Sequence, residues 1–291
     1  MRITRVGIIT LIAAELLAGA AQTRQVQAEQ LRAVQNQVAG VLAHPALASA
    51  RVGALVVSLD RGDTLCSTSA DRPLIPASNM KLVTVATALE LLGAARDCSA
   101  VAGAKPCETL AALAPRILKP SDNKLADALL AALPRAAGRP DLTPRQLCSE
   151  RWGERGLYLY GTHWADGSGL SREDMMSAQV IVDLLRAADG ARWRETFIGA
   201  LPVAGVDGTL RKRMCAGPAR GRVRAKTGTL TGVSALSGYV ETIGDERLAF
   251  SLVMNGFGCD VVRVRRMQDQ VCEALVRLDR EGVCAERAAG D

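Results

Sequence analysis

The chain is poor in aromatic residues, with three Trp, three Tyr and three Phe among 291 positions, or 3%. That leaves no platform on which bases could stack, and no basic arm or run of like charges accompanies it, so nucleic-acid binding is not expected. Histidine is scarcer still: only His44 and His163 are present. With no C-x-x-C and no H-E-x-x-H, neither a metal centre nor a metal-dependent activity is expected, and nothing calls for a cofactor. Long apolar runs are missing too. The one candidate, Val6–Leu17, falls well short of the roughly 20 residues that a membrane span needs. Internal repeats and low-complexity tracts are absent. Lysine is the last scarcity: there are six (Lys81, Lys105, Lys119, Lys124, Lys212 and Lys226) against thirty arginines.

What is present describes a packed protein. Apolar residues make up 48% and charged residues 23% of the chain, which predicts a folded core and not disorder. The net charge of +6 suits anionic partners such as cell-wall polymers, although arginine is used throughout the chain and not in one patch. Arg2 and Arg5 precede the apolar stretch, and small residues follow it at Ala18-Gly19-Ala20 and Val26-Gln27-Ala28. This pattern reads as an export signal over residues 1–28, cleaved near 20 or near 28, followed by a single domain over 29–291 in the periplasm or outside the cell. Once the signal is removed, no stable transmembrane segment is expected. All eight cysteines lie after the signal, an even number that fits up to four disulfides in an oxidising compartment. Cys98 and Cys107 bracket a short loop containing Gly and Pro and form the expected pair.

Periodicity outlines the elements. Gln25–Leu42 has helical spacing, with Leu31, Val34, Val38 and Leu42 on one face. Val52–Leu59 and Thr64–Ser67 read as a hairpin turning at Arg61-Gly62-Asp63. Helices are expected at Ser78–Leu92, closed by Gly93, at Asp122–Leu133, stopped by Pro134, and at Ser177–Ala188. A strand begins near Val223. Ser234–Glu241 and Leu248–Asn255 follow as strands joined at Gly244-Asp245, and Cys259–Leu278 ends the pattern as a helix. Strands near both ends with helices between them predict an α+β fold, with one sheet and a helical section packed against it.

Three short motifs occur in order: Ser78-Asn79-Met80-Lys81, Ser121-Asp122-Asn123 and Lys226-Thr227-Gly228. Ser78 and Lys81, three apart at a helix start, share one face, and the helix N-terminus places partial positive charge beside the Ser oxygen. Core-spaced Leu82, Val85, Ala86 and Leu89 predict burial, which lowers an amine's pKa and lets Lys81 act as a base, as would a nearby cation. Taken alone, S-x-x-K also fits a helix-capping Ser with a surface Lys, and a second copy runs from Ser121 to Lys124. Lysine scarcity weighs against chance. If basic positions were filled at random, two lysines at the two motif sites would arise about one time in thirty-six. Arg cannot give up its proton in a protein, whereas a buried Lys can.

Ser121 either caps the helix that follows or relays a proton to a departing amine, with Asn123 bonding a substrate amide and Asp122 facing away. Lys226 and Gly228 would share one strand face, with Thr227 and Thr229 on the other. Lys226 would bind a carboxylate and lower the Lys81 pKa, and Gly228 would admit substrate backbone. The N–H groups of Ser78 and Thr229 would form an oxyanion hole.

Longer stretches add to the motifs: Asp166-Gly167-Ser168-Gly169-Leu170-Ser171-Arg172, Leu201-Pro202-Val203-Ala204-Gly205-Val206-Asp207-Gly208-Thr209-Leu210, and Ala225–Tyr239. Together with the motifs, which serine β-lactamases and penicillin-binding proteins share, they make Arg51–Asn255 resemble the D-alanyl-D-alanine carboxypeptidase/endopeptidase family of low-molecular-mass class C penicillin-binding proteins. The resemblance implies a β-lactamase/transpeptidase-like fold, with a five-stranded antiparallel sheet flanked by helices and a helical subdomain. It implies Ser78 as nucleophile, Lys81 as base, Ser121 as relay, and Asn123, Lys226, Thr227 and Thr229 as binders. The implied substrates are peptidoglycan stem peptides ending in D-Ala-D-Ala, with β-lactam antibiotics as acylating agents and no cofactor. Asp166–Arg172 is read as a structural turn. Family members usually carry long insertions between the first two motifs. Here Ser121 follows Ser78 by 43 positions, room for a helix, a short loop and little else.

Three other readings compete. A serine β-lactamase needs a glutamate to clear its acyl-enzyme; Glu154 is the nearest candidate, with Tyr158 where that class has Asn. A Ser-His-Asp hydrolase would draw on His163, Asp166 and Ser168, which lie too close in sequence for a triad. A non-catalytic wall-binding relative would keep the fold without the chemistry.

Overall fold

The computed structural model describes residues 5–157, 159 and 161–280. Cys284 and Tyr158 lie outside the described residues.

Five strands form one antiparallel sheet in the order β2-β1-β5-β4-β3. The strands are β1 (Arg51–Ser58), β2 (Thr64–Thr68), β3 (Val223–Leu230), β4 (Val233–Glu241) and β5 (Arg247–Asn255). The hairpins β1–β2, β3–β4 and β4–β5 account for three of the four pairings. The fourth, β1 against β5, joins the early and late parts of the chain, with Arg51 opposite Asn255 and Ser58 opposite Leu248.

Alternation splits the sheet between two cores. Leu248, Phe250, Leu252 and Met254 of β5 face one side, together with Ala54, Val56, Ala225, Leu236 and Val240. Against them pack α1 (Arg5–Leu42), through Val34, Val38 and Leu42, and the last helix α8 (Val261–Val276), through Val264, Met267, Val271 and Leu275. The opposite face presents Leu55, Val57, Ala235, Tyr239, Ala249 and Val253 to the helical section. That section comprises α2 (Met80–Leu92), α3 (Leu110–Leu118), α4 (Asn123–Ala136), α5 (Pro144–Glu154), α6 (Ala178–Asp189) and α7 (Arg194–Ala200). Helix α2 runs through its centre, with every residue from Met80 to Leu89 buried. Burial on every side marks α2 as an interior element, with Lys81, Thr84 and Thr87 as polar residues inside it.

Several expected boundaries shift. Helix α1 extends back from Gln25 to Arg5, through both candidate cleavage positions, and Leu31, Val34, Val38 and Leu42 of it pack on the core. Pro134 does not stop α4, which runs to Ala136; a proline in the last turn removes one bond that the end can spare, and Gly138 at φ 73 closes the turn. Helices α3, α5 and α7 are additional to those expected from periodicity. Helix α3, with its N-cap Thr109, fills the stretch between the first two motifs together with a loop.

The expected Cys98–Cys107 bridge is not formed, and the seven cysteines of the described residues are all free. Cys98 is buried in the helical core, while Cys107 is exposed at a positive φ of 55° with its N–H on Ser99 Oγ. The loop thus turns the two side chains toward different environments. Among the described residues, no helix is long and apolar enough to cross a membrane.

Candidate active site

Ser78 sits in a single 3-10 turn, Ala77–Asn79, that runs directly into α2. The turn is anchored from below: Asn79 Nδ2 donates to Ser237 Oγ at 2.9 Å, and Ser237 in turn donates to Ser251 Oγ at 2.8 Å. Two glycines clamp it from the sides. Gly169 adopts φ +79°, and a Cβ there would fall 1.9 Å from Ala77 O and 3.0 Å from the Ser78 nitrogen. A Cβ at Gly228 would lie 2.7 Å from Pro76 O and 3.1 Å from Ala77 Cβ. Gly228, read from the sequence as admitting substrate backbone, makes room here for the turn that carries Ser78. Position 77 itself has φ 47°, a strained value that the two glycine contacts hold in place.

Lys81 is fully buried one helical turn beyond Ser78. Its Nζ donates to Ser78 Oγ at 3.0 Å, Asn123 Oδ1 at 2.6 Å and the Ser168 carbonyl at 2.5 Å. Burial lowers the Lys81 pKa to about 8, against the opposing pull of Asp127, Asp166, Asp122 and Asp174. Lys226 is also fully buried and donates to Ser121 Oγ and to the Thr227 carbonyl, both at 2.9 Å. Burial first, and the charge of Lys81 second, hold its pKa well below the usual amine value. Lys226 therefore stands behind Ser121, and Ser121 and the two threonines meet the open cleft in its place.

The second motif resolves one ambiguity. Asp122, not Ser121, caps α4, accepting from the Leu125 N–H at 2.9 Å. Ser121 lies outside the helix at φ 65°, which leaves its hydroxyl to Lys226. Asp122 thus serves at the helix N-terminus, where the sequence placed it as a helix charge facing away from the chemistry, and does so through a capping hydrogen bond. Asn123 turns its carbonyl oxygen to Lys81.

Two segments without an assigned chemical part also reach the site. In Asp166–Arg172, Asp166 gathers the N–H groups of Ser168 (2.9 Å), Ser171 (2.7 Å) and Gly169, closing a tight loop. That loop aims the Ser168 carbonyl at Lys81 and seats Gly169 on the nucleophile turn, so it is a turn that shapes the site directly. Asp174 sits beneath it, fully buried, with one oxygen accepting from Ala165 N–H at 2.7 Å and the other unpartnered. Burial raises the Asp174 pKa to about 7.

In Leu201–Leu210, Asp207 pairs with Lys119, and Thr209 N–H donates to the Lys119 carbonyl at 3.1 Å, bracing the approach to Ser121. Thr227 Oγ1 donates to Thr209 Oγ1 at 2.7 Å. The signal for both segments was their length and composition, but nothing in the sequence gives their contacts.

The groups open onto a cleft of about 680 Å³ lined by Ser78, Ser121, Thr209, Thr227 and Thr229 on one side and α8 on the other. Strand β3 is the sheet edge here. Its early part is covered, since Ala204 N–H bonds Val223 O and Ala225 N–H bonds Pro202 O, both at 2.9 Å. By two-residue alternation the backbone groups of Thr227 and Thr229 face the same outer edge, past the end of that cover.

The residues of the competing readings do not gather here. Glu154 is exposed and paired with Arg151 Nη1 at 3.0 Å. His163 is exposed with Nδ1 against the Glu173 carbonyl at 3.0 Å, away from the Asp166–Ser168 contact. Among the described residues, no group of three or more His, Cys, Asp or Glu is placed to hold a metal ion.

Comparison with known proteins gives consistent relationships. Over 96 residues the chain is 54% identical to the D-alanyl-D-alanine carboxypeptidase of Actinomadura sp. (strain R39), a match covering 31% of this chain and 18% of that protein. Over 155 residues it is 31% identical to the D-alanyl-D-alanine carboxypeptidase DacB of Haemophilus influenzae, covering 49% of this chain and 31% of that protein. These matches span less than a third of either relative.

Among solved structures, penicillin binding protein 4 (dacB) from Haemophilus influenzae superposes with a TM-score of 0.68 at 14% identity, over 80% of this chain and 97% of that one. The TLA-1 extended-spectrum β-lactamase superposes at 0.62 with 11% identity, over 85% of this chain and 98% of that one. These likenesses establish the β-lactamase/transpeptidase-like fold. The model of the D-Ala-D-Ala carboxypeptidase 3 (S13) family matches residues 34–100 and 95–278, most of the chain, and the protein belongs to that family.

Proposed function

We propose that the protein is a serine-type D-Ala-D-Ala carboxypeptidase that acts on peptidoglycan stem peptides through an acyl-enzyme on Ser78, and that β-lactams acylate the same oxygen. The observation that carries this reading is the buried Lys81 amine at 3.0 Å from Ser78 Oγ, with its pKa drawn down to about 8. At neutral pH about a tenth of such a lysine is unprotonated and able to accept a proton.

In the proposed cycle, neutral Lys81 takes the Ser78 proton as Oγ bonds to the carbonyl carbon of the penultimate D-Ala. The N–H groups of Ser78 and Thr229 receive the oxyanion, an arrangement that the outward-facing backbone of β3 supports. A substrate backbone could add to this edge as a further strand. Collapse of the tetrahedral intermediate breaks the C–N bond. The proton reaches the leaving amine through Ser121 Oγ, which Lys226 holds at 2.9 Å. D-alanine departs, and water, activated by Lys81, releases the shortened peptide. Asn123 serves both Lys81 and the substrate amide, and Thr227 and Thr229 bind from the strand.

Cleavage of cross-links is the same chemistry with a larger leaving amine, so endopeptidase action is part of the proposal. The proposed setting is the periplasm or the cell exterior, after removal of residues 1–28. Both cleavage positions precede Val34, Val38 and Leu42, so either cut keeps these three residues on the core. Incubation of the protein with a pentapeptide stem, a cross-linked dimer and a penicillin, followed by mass, tests the reading. Loss of one alanine and a stable adduct on Ser78 are expected. Rapid penicillin turnover without D-alanine release would point to a β-lactamase, and absence of both to a non-catalytic relative.

A further inference from the structure

The far wall of the cleft is cationic in a way that the catalytic residues do not explain. Helix α8 presents Val262, Arg265, Arg266 and Asp269 to the opening, positions three, four and seven apart and therefore on one helical face. Lys212 and Arg213 join them from the segment after Thr209. Asp269 is the one acid of this group; it pairs with Arg213, at 2.7 Å from Nη2, and its charge also acts on Arg265 from a greater distance. Arg213 is further tied to the Arg265 carbonyl at 3.1 Å and to Gln268 Oε1 at 3.3 Å. Lys212, Arg265 and Arg266 form no ion pair among the described residues. Arg265 leans over the strand edge, its Nη2 donating to Thr229 Oγ1 at 3.0 Å. Arg266 and Lys212 lie farther out and are exposed.

These three cations, with the single nearby carboxylate of Asp269 already paired to Arg213, leave the wall with excess positive charge that an entering anion would offset. A peptide ending in D-Ala-D-Ala carries its backbone anion beyond the scissile bond, on the leaving residue. Charge complementarity therefore makes this wall the leaving-group side. We propose that Arg265, with Thr229, takes the carboxylate next to the scissile amide, and that Lys212 and Arg266 extend this into a second anionic position, so that the cleft favours leaving amino acids or peptides bearing two carboxylates. The inference rests on the assignment of Ser78 as nucleophile. Arg suits the first position because its planar fork meets a carboxylate with two parallel N–H bonds while still touching Thr229. The outer pair is solvated and acts mainly through its field, so it discriminates less strongly and is weakened by salt.

The test compares three acyl-peptides that differ only in the leaving residue: D-Ala, D-Glu and D-alaninamide. In the wild-type protein, kcat/KM is expected to rank D-Glu above D-Ala and both at least tenfold above the amide, with the D-Glu advantage shrinking between about 50 mM and about 500 mM salt, concentrations bracketing the range over which screening becomes severe. R265A should cost the D-Ala substrate about tenfold or more beyond any loss on the amide, and R265K should recover part of it, since a charge without the fork remains. K212A/R266A should lower the D-Glu substrate several-fold more than the D-Ala substrate. Equal sensitivity of all three substrates to these variants, or a wild-type enzyme indifferent to the carboxylates, overturns the inference while leaving the carboxypeptidase reading intact. A second arm titrates N-acetyl-D-Ala-D-Glu into the full chain by calorimetry. If no substrate is turned over, salt-sensitive binding lost in K212A/R266A sustains the subsite while the proposed activity falls, and absence of binding removes the subsite as well.

Discussion

The two walls of the cleft carry the same sign of charge and use it in opposite ways. On one side stand Lys81 and Lys226, with no exposed surface and hydrogen-bonded to Ser78, Asn123 and Ser121. On the other stand Lys212, Arg265 and Arg266, lining the cleft and forming no ion pair among the described residues. Burial penalises the protonated amine and moves the first pair toward the neutral form, so those residues can exchange protons. The second group lines the open cleft, where it is placed to attract an anion. Cation chemistry here is decided by dehydration as much as by residue type. The chain's preference for arginine fits that division, because arginine cannot do the work of the buried wall.

The comparison can be broken at several points. Its largest expected effect is at the nucleophile: Ser78→Ala should abolish penicillin labelling and lower D-alanine release by about a million-fold, the scale seen when such a serine is removed. Labelling that persisted in the folded variant would move the chemistry elsewhere. Next is the buried wall. Lys81→Arg should slow acylation by about 100- to 10,000-fold, the usual contribution of a general base. In the wild-type protein the acylation rate should rise with pH through about 8, because that is where Lys81 loses its proton, and the rise should vanish in the Arg variant. A flat wild-type profile would remove Lys81 as the base.

A smaller effect tests the clamp on the nucleophile. Gly169→Ala places a Cβ against the Ala77 carbonyl in a left-handed backbone. It should lower stability by about 1–3 kcal/mol, with acylation reduced out of proportion to the fraction unfolded. Normal acylation by the folded variant would mean that Gly169 does not position Ser78.

The smallest concerns Asp174. Its pKa is raised to about 7 from 3.8. The folded state therefore binds more protons than the unfolded one between those values, and its contribution to stability is full below about 3.8 and falls away as pH rises through about 7. Asp174→Asn keeps the acceptor for Ala165 and cannot ionise, so it should gain on the order of 1 kcal/mol over the wild-type protein at about pH 8 and nothing at about pH 3.5. Chemical unfolding at the two pH values checks the difference.

Much of this was legible in the sequence because the relevant signals are local. The strands over 51–58 and 247–255 showed themselves by apolar residues and turn chemistry, and α2 and α6 by spacing and caps. Other elements were not visible. Helix α5 has almost no amphipathic pattern, and its local marks are Pro144 and the Thr143–Gln146 capping box. The expected disulfide fails because a short loop does not guarantee that its ends face each other: burial sent Cys98 inward and Cys107 outward. Ser121 carried two readings in sequence, and only the three-dimensional position of Asp122 as the cap separated them.

The sequence by itself determined the order and identity of the reactive groups, the fold class and the family likeness, because these depend on residue type, short spacing and local periodicity. Tertiary structure alone decided the state of those groups. Burial at the junction of α2, α4 and β3 set the protonation of the lysines. Backbone contact made Gly169 and Gly228 the clamp on Ser78. The approach of α8 to the edge of β3 put arginines opposite the nucleophile. Dehydration, packing and charge proximity arise between segments far apart in the chain, so no local pattern could have carried them.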